Sequence, residues 1–168
     1  MTDPGHFGAL QPQLYTDAER QRRDSSPWTL VQGILAPVQF LIFLVSLALV
    51  IRTLLTGEGV FAAHLSILAK TLALYTIMIT GALWEKDVFG QYLFAPAFFW
   101  EDVVSFGVIA LHTLYLAGLI FGVMDDRTLF VMTLFAYATY VVNAAQFLLK
   151  LRAARLSAPA SRQAEALT

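Results

Sequence analysis

The chain has 168 residues, of which 58% are hydrophobic, 13% aromatic and only 14% charged, with a net charge of −1. A soluble domain carries nearer a quarter charged residues, and here the charges cluster, leaving apolar runs of about 20 residues that can cross roughly 30 Å of hydrocarbon. An integral membrane protein is expected; the lack of a basic patch excludes a nucleic-acid binder, and the lack of cysteine excludes a disulfide frame, a thiolate metal site and a thiol nucleophile.

Residues 1–27 read as a polar, mobile tail. Arg20, Arg22, Arg23 and Asp24 within it argue against a cleaved signal peptide. Residues 16–23 (TDAERQRR) form a short amphipathic piece in which Thr16 or Ser25 suits a helix cap, and Pro27 suits the first turn of the next helix. Residues 28–150 predict an all-α bundle of four transmembrane helices, over Trp28–Thr53, Val60–Leu83, Glu101–Met124 and Thr128–Leu149. Pro37 should kink the first, where Gln32 and Gln39 share a face. Residues 56–59 (TGEG) and 125–127 (DDR) make short turns, and residues 151–168 read as a flexible tail.

Arg20, Arg22 and Arg23 precede the first span, and Lys150, Arg152 and Arg155 follow the last. An even number of spans with this bias puts both termini in the cytoplasm. The connector between the second and third helices then faces the cytoplasm too. It is the stretch on which the reading centres: WEKDVFGQYLFAPAFFWED, residues 84–102, combines Glu85, Asp87, Glu101 and Asp102 with Lys86, Gln91, Tyr92 and a wall of aromatics.

At 1.5 Å per residue, His112 lies about 16 Å below Glu101, and Lys70 roughly 20 Å below Glu85. Asn143 and Gln146 lie about 10 and 6 Å below Lys150. Glu101, Ser105 and His112 share one helix face; Thr139, Asn143, Gln146 and Lys150 share another. Ionisable groups at such depth face a bundle interior or a cavity, so these side chains are expected to converge on a pocket opening to the cytoplasm. The competing reading makes Gln39, Asn143 and Gln146 interhelical hydrogen-bond glue, with His112 a structural donor and Lys70 displaced toward an interface or paired with a carboxylate. His64, near the outer end, reads as interfacial. It differs from His112 by about 14 Å in depth, which sets aside a bis-histidine haem, and no metal-ligand spacing appears.

Residues 26–50 (SPWTLVQGILAPVQFLIFLVSLALV), 70–105 (containing WEKDVFGQYLFAPAFFWEDV), 111–117 (LHTLYLA) and 137–156 (YATYVVNAAQFLLKLRAARL) closely resemble the 3-vinyl (formerly 2-vinyl) bacteriochlorophyllide hydratase family of phototrophic bacteria. The resemblance implies that water is added to the 3-vinyl group of chlorophyllide a or bacteriochlorophyllide, a Mg-chlorin, giving a 3-(1-hydroxyethyl) group. It implies no cofactor, since the Mg belongs to the substrate. The implied partners are the Mg-chlorin, membrane lipid and other enzymes of bacteriochlorophyll synthesis, in the bacterial inner (intracytoplasmic) membrane with the site facing the cytoplasm.

Such a hydration protonates the terminal vinyl carbon, spreads the cation from the ring-adjacent carbon into the macrocycle, and closes with attack by water. Glu101 is the first choice for the acid and Glu85 the second, with Asp102 or His112 taking the water's proton. The Phe and Trp side chains of residues 94–100, Phe98, Phe99 and Trp100 among them, would pack on the chlorin, with Tyr92, Asn143 and Gln146 lining the pocket. Lys86 would pair with a propionate, and His112 or Gln91 would approach the Mg. A non-catalytic chlorin-binding or assembly protein would use the same aromatic pocket without needing the carboxylates. A transporter is disfavoured, since no internal repeat appears.

Overall fold

A computed structural model describes residues 14–165, with side chains described as far as Ala154. It is all-helical: α1 (Asp17–Ser25), α2 (Pro27–Thr56), α3 (Val60–Phe89), α4 (Phe99–Phe121) and α5 (Asp126–Glu165). The last four contain segments long and apolar enough to span a membrane. They are apolar nearly all round, and large side chains such as Leu55 and Phe61 point outward at 81% and 79% exposure. That pattern suits hydrocarbon rather than water as the surrounding solvent.

Part of the expected N-terminal tail is a docked helix; residues 1–13 of it lie outside the described residues. Thr16 opens α1 with a capping box, its hydroxyl accepting from the Glu19 amide and its own amide donating 2.7 Å to Glu19 Oε2. Arg22 Nε then donates 2.8 Å to the Val88 carbonyl, an end-of-helix acceptor on α3. Tyr15 is buried against Phe89 and Phe98. That burial pushes its phenol up to about 12, against the pull of the Arg23 guanidinium. Ser26, rather than Ser25, caps α2, with Pro27 in its first turn. The Ser26 hydroxyl also donates 2.8 Å to Asp87 Oδ2.

Three of the spans outlast their expected ends, whereas α4 stops at Phe121, before the expected Met124, where Gly122 takes a left-handed φ of 62°. α2 runs unbroken through Pro37 to Thr56. α3 continues through Trp84 to Phe89 and stops where Gly90 takes a left-handed φ of 84°. Glu85, Lys86 and Asp87 are therefore helical, and the true connector is only residues 90–98. Asp125 precedes α5 and caps it, its Oδ1 accepting from the Thr128 amide at 2.8 Å. It continues to Glu165, although composition placed a flexible tail from Leu151 onward.

α2 packs chiefly on α3 and α4 chiefly on α5, so the bundle is two antiparallel hairpins meeting along thinner α3–α4 and α2–α5 seams. The core is tiered. An outer tier holds Val50, Ile67, Tyr115 and Phe130; a middle tier Phe43, Leu74, Val108, Tyr137 and Tyr140; a connector-end tier Tyr15, Val88 and Phe98.

Candidate active site

Polar side chains are buried in two layers. The first lies at the connector. Glu85 on α3 and Asp102 on α4 are both buried, and their carboxyls are in hydrogen-bonding contact. Glu85 Oε2 accepts the Ala95 amide at 3.1 Å, and Asp102 Oδ2 accepts the Phe94 amide at 2.7 Å. Two successive loop amides are thus held by two helices. The grip fixes Phe94 at φ 59°, a left-handed conformation costly for a side chain of this size.

Glu101 faces a different partner. Its Oε2 takes the Lys150 ammonium at 2.5 Å, and the same ammonium donates to the Ala97 carbonyl. Asn143 Nδ2 donates to the Glu101 carbonyl at 3.1 Å and to Ser105 Oγ at 2.7 Å. Glu85, Glu101, Asp102 and Asn143 are therefore brought together as expected, but every one is already engaged with the protein. Gln146 is half-buried nearby on α5, its Oε1 without a protein partner.

The expected aromatic wall divides. Phe98 is 2% exposed, inside the core between Trp84, Phe89 and Phe147, so it cannot pack on a ligand. The exposed wall is Phe94, Phe99, Trp100 and Phe106, with Phe94 stacked on Phe106 at 5.4 Å between centroids. Lys86, Gln91 and Tyr92 are exposed on the connector surface. Lys86 Nζ donates 2.9 Å to the Gly90 carbonyl and lies 5.3 Å from the Tyr92 ring, while Gln91 Nε2 donates 3.0 Å to Leu93 O.

The second layer is deeper. Ten residues separate His112 from Asp102, about 15 Å along α4, so His112 cannot act with the connector carboxyls on one vinyl group. His112 is 1% exposed and its Nδ1 lies 2.8 Å from the Val108 carbonyl. A carbonyl only accepts, so Nδ1 carries the hydrogen and a neutral ring presents a lone pair at Nε2. That Nε2 has no protein partner. Lys70 is fully buried, close enough to His112 for electrostatic interaction. Its Nζ has no hydrogen-bond partner and stands 3.5 Å over the Tyr140 ring. Neither displacement of Lys70 to an interface nor a carboxylate partner is observed. Among the described residues no His, Asp and Glu cluster could hold a metal ion.

A sequence model described as 2-vinyl bacteriochlorophyllide hydratase matches residues 15–153, which contain both layers. The chain belongs to this family. It is 70% identical over 145 residues to a protein of Rhodobacter capsulatus with the same name, covering 86% of this chain and 84% of that protein. A Cereibacter sphaeroides protein of that name is 64% identical over 159 residues, 95% of this chain and 99% of its own. No solved structure matches.

In this hydratase-family chain, sequence reasoning missed the part played by Lys150. Its position seven residues after Asn143, on the same face, was the available signal. It also missed Phe106, which extends the exposed aromatic surface from Phe94, and left Lys70 without a role. His64, read as interfacial, lies four residues into α3 and bridges three helices there: Nδ1 lies 2.7 Å from Tyr115 Oη and Nε2 3.0 Å from Asp126 Oδ1.

Proposed function

We propose that this chain adds water across the 3-vinyl group of chlorophyllide a or bacteriochlorophyllide, giving the 3-(1-hydroxyethyl) derivative. The observation that carries this reading is the 70% identity to a relative named as a hydratase of the 2-vinyl pigment, the same group under the older numbering. The geometry supports it, since the chain combines an apolar, lipid-facing bundle with an exposed aromatic surface and buried polar groups. A chlorin macrocycle is flat and apolar, with one carboxylate. It suits the Phe94, Phe99 and Phe106 surface, its carboxylate turned toward the connector side of the bundle.

That end is the cytoplasmic one in this reading. Arg20, Arg22 and Arg23 lie there before α2, and Lys150 and Arg152 lie there near the end of the apolar part of α5, in a bacterial inner membrane. Glu85, Glu101 and Asp102 hold the connector in this reading rather than the pigment. The reacting vinyl group, on another edge of the macrocycle, lies deeper. The reaction transfers no electrons, so it asks of the protein only an acid, a held water and a base.

Membranes carrying the protein, incubated with chlorophyllide a in H₂¹⁸O, should yield pigment heavier by one labelled water and blue-shifted as the vinyl group leaves conjugation. Folded protein that co-purifies with unchanged pigment would instead indicate a chlorin-binding or assembly protein.

A further inference from the structure

Among the described residues, Lys70 and His112 are buried ionisable side chains whose Nζ and Nε2 have no protein hydrogen-bond partner, as has the Oε1 of the buried Gln39 on α2. They come from different hairpins, Lys70 from α3 and His112 from α4, whose mutual seam is the thinner kind, and they are close enough to interact electrostatically. Tyr140 on α5 offers its ring face to Lys70 Nζ at 3.5 Å, a place for a cation. Tyr137 packs beside the His112 ring at 5.8 Å between centroids. One member is a proton donor; the other, with Nδ1–H committed to the Val108 carbonyl, presents a lone pair. An ionisable group at this depth in a membrane bundle is expensive to maintain, and neither residue is engaged in holding the fold through a hydrogen bond at its free end.

We propose that Lys70 and His112 are the acid–base couple of the hydration, acting on a vinyl group inserted edge-on into the seam between the two hairpins. This rests on the hydratase reading above. The Lys70 Nζ–H bond breaks as the vinyl π pair forms a C–H bond at the terminal carbon. The cation left on the ring-adjacent carbon is attacked by a water held at His112 Nε2, and that nitrogen takes the water's proton. Proton return from His112 to Lys70, its near neighbour, restores both groups. The net change is one H and one OH added, with no oxidant or reductant. A flat chlorin edge reaches this layer as the two hairpins separate, which breaks the Tyr75–Thr113 hydrogen bond between α3 and α4 and leaves each hairpin intact.

The test compares the full-length protein in nanodiscs with Lys70→Met, Lys70→Gln and His112→Phe. Readouts are pigment binding by absorbance, kcat and KM for chlorophyllide a, and ¹⁸O incorporation. All three variants should bind pigment with an unchanged KM and lose at least about 100-fold in kcat, the scale of acid–base catalysis. The Lys70→Met/His112→Phe double variant should be no slower than either single one, because the two act as a unit. Lys70→Gln keeps a hydrogen-bond donor but no acid, and as the milder change it serves where the Met variant fails to fold. Wild-type kcat in Lys70→Gln would overturn the acid role. Loss of pigment binding in folded Lys70 variants would also overturn it, assigning Lys70 to the pigment carboxylate. Failure of the wild-type protein itself to incorporate ¹⁸O would instead remove the hydratase reading.

Discussion

Lys150 Nζ lies 2.5 Å from Glu101 Oε2 and also donates to the Ala97 carbonyl, tying the last span to the connector and to the start of α4. Glu101 is almost fully buried and Lys150 partly so. Removing one partner from such a pair leaves the other charge uncompensated. Lys150→Met is therefore expected to destabilise the protein by about 3 kcal/mol, and the Glu101→Leu/Lys150→Met double variant to recover most of that loss. A double-mutant cycle on detergent-induced unfolding measures both.

Asp102 separates positioning from catalysis. Asn at this site keeps an oxygen for the Phe94 amide and gains a donor for Glu85, the two contacts Asp102 makes. Asp102→Asn should fold and keep kcat within about tenfold of wild type, well short of the 10²-fold or greater loss expected of a deleted general acid. Asp102→Ala leaves the Phe94 amide unpaired and should cost about 1–3 kcal/mol. Thermal unfolding of both, read beside turnover, decides whether the carboxyl acts on the connector or on the pigment.

Phe94 carries strain, with φ at 59°. Glycine adopts that conformation freely and alanine does not. Phe94→Gly should therefore be more stable than Phe94→Ala by about 1 kcal/mol, although both lose the same stacking on Phe106. Comparing the two unfolding midpoints isolates the backbone contribution. Equal midpoints would show that the bond to Asp102 does not impose the strain.

Tyr15 provides the pH prediction. Its phenol is raised from 10.0 to about 12 by burial, so folding favours the neutral form. The stability it contributes is fully present below pH 10.0 and is lost as pH rises through about 12. The docked α1 should loosen across that alkaline window, exposing the arginines of residues 20–23. The difference absorbance titration of wild type against Tyr15→Phe should show one phenol ionising near pH 12. A single step near 10.0 would mean Tyr15 is not buried in solution.

The connector shows how far residue chemistry could be read in advance. That Glu85, Glu101, Asp102 and Asn143 gather at one end followed from spacing and depth alone. That Glu85 and Asp102 grip loop amides while Glu101 takes Lys150 did not follow. Helix boundaries shifted for a related reason: the apolar run ends at Leu83, but α3 continues until Gly90, because packing of Trp84 and Val88 on Phe98 and Tyr15 holds another turn.

The sequence by itself determined the four spans and the family. Apolar length and glycine caps are local quantities, written in consecutive residues. Only the tertiary structure decided which side chains face one another. A helix that is apolar nearly all round carries little amphipathic signal to say how it is rotated. Packing alone therefore set Phe98 inward and Phe94 outward, and turned Lys70 and His112 toward a common seam.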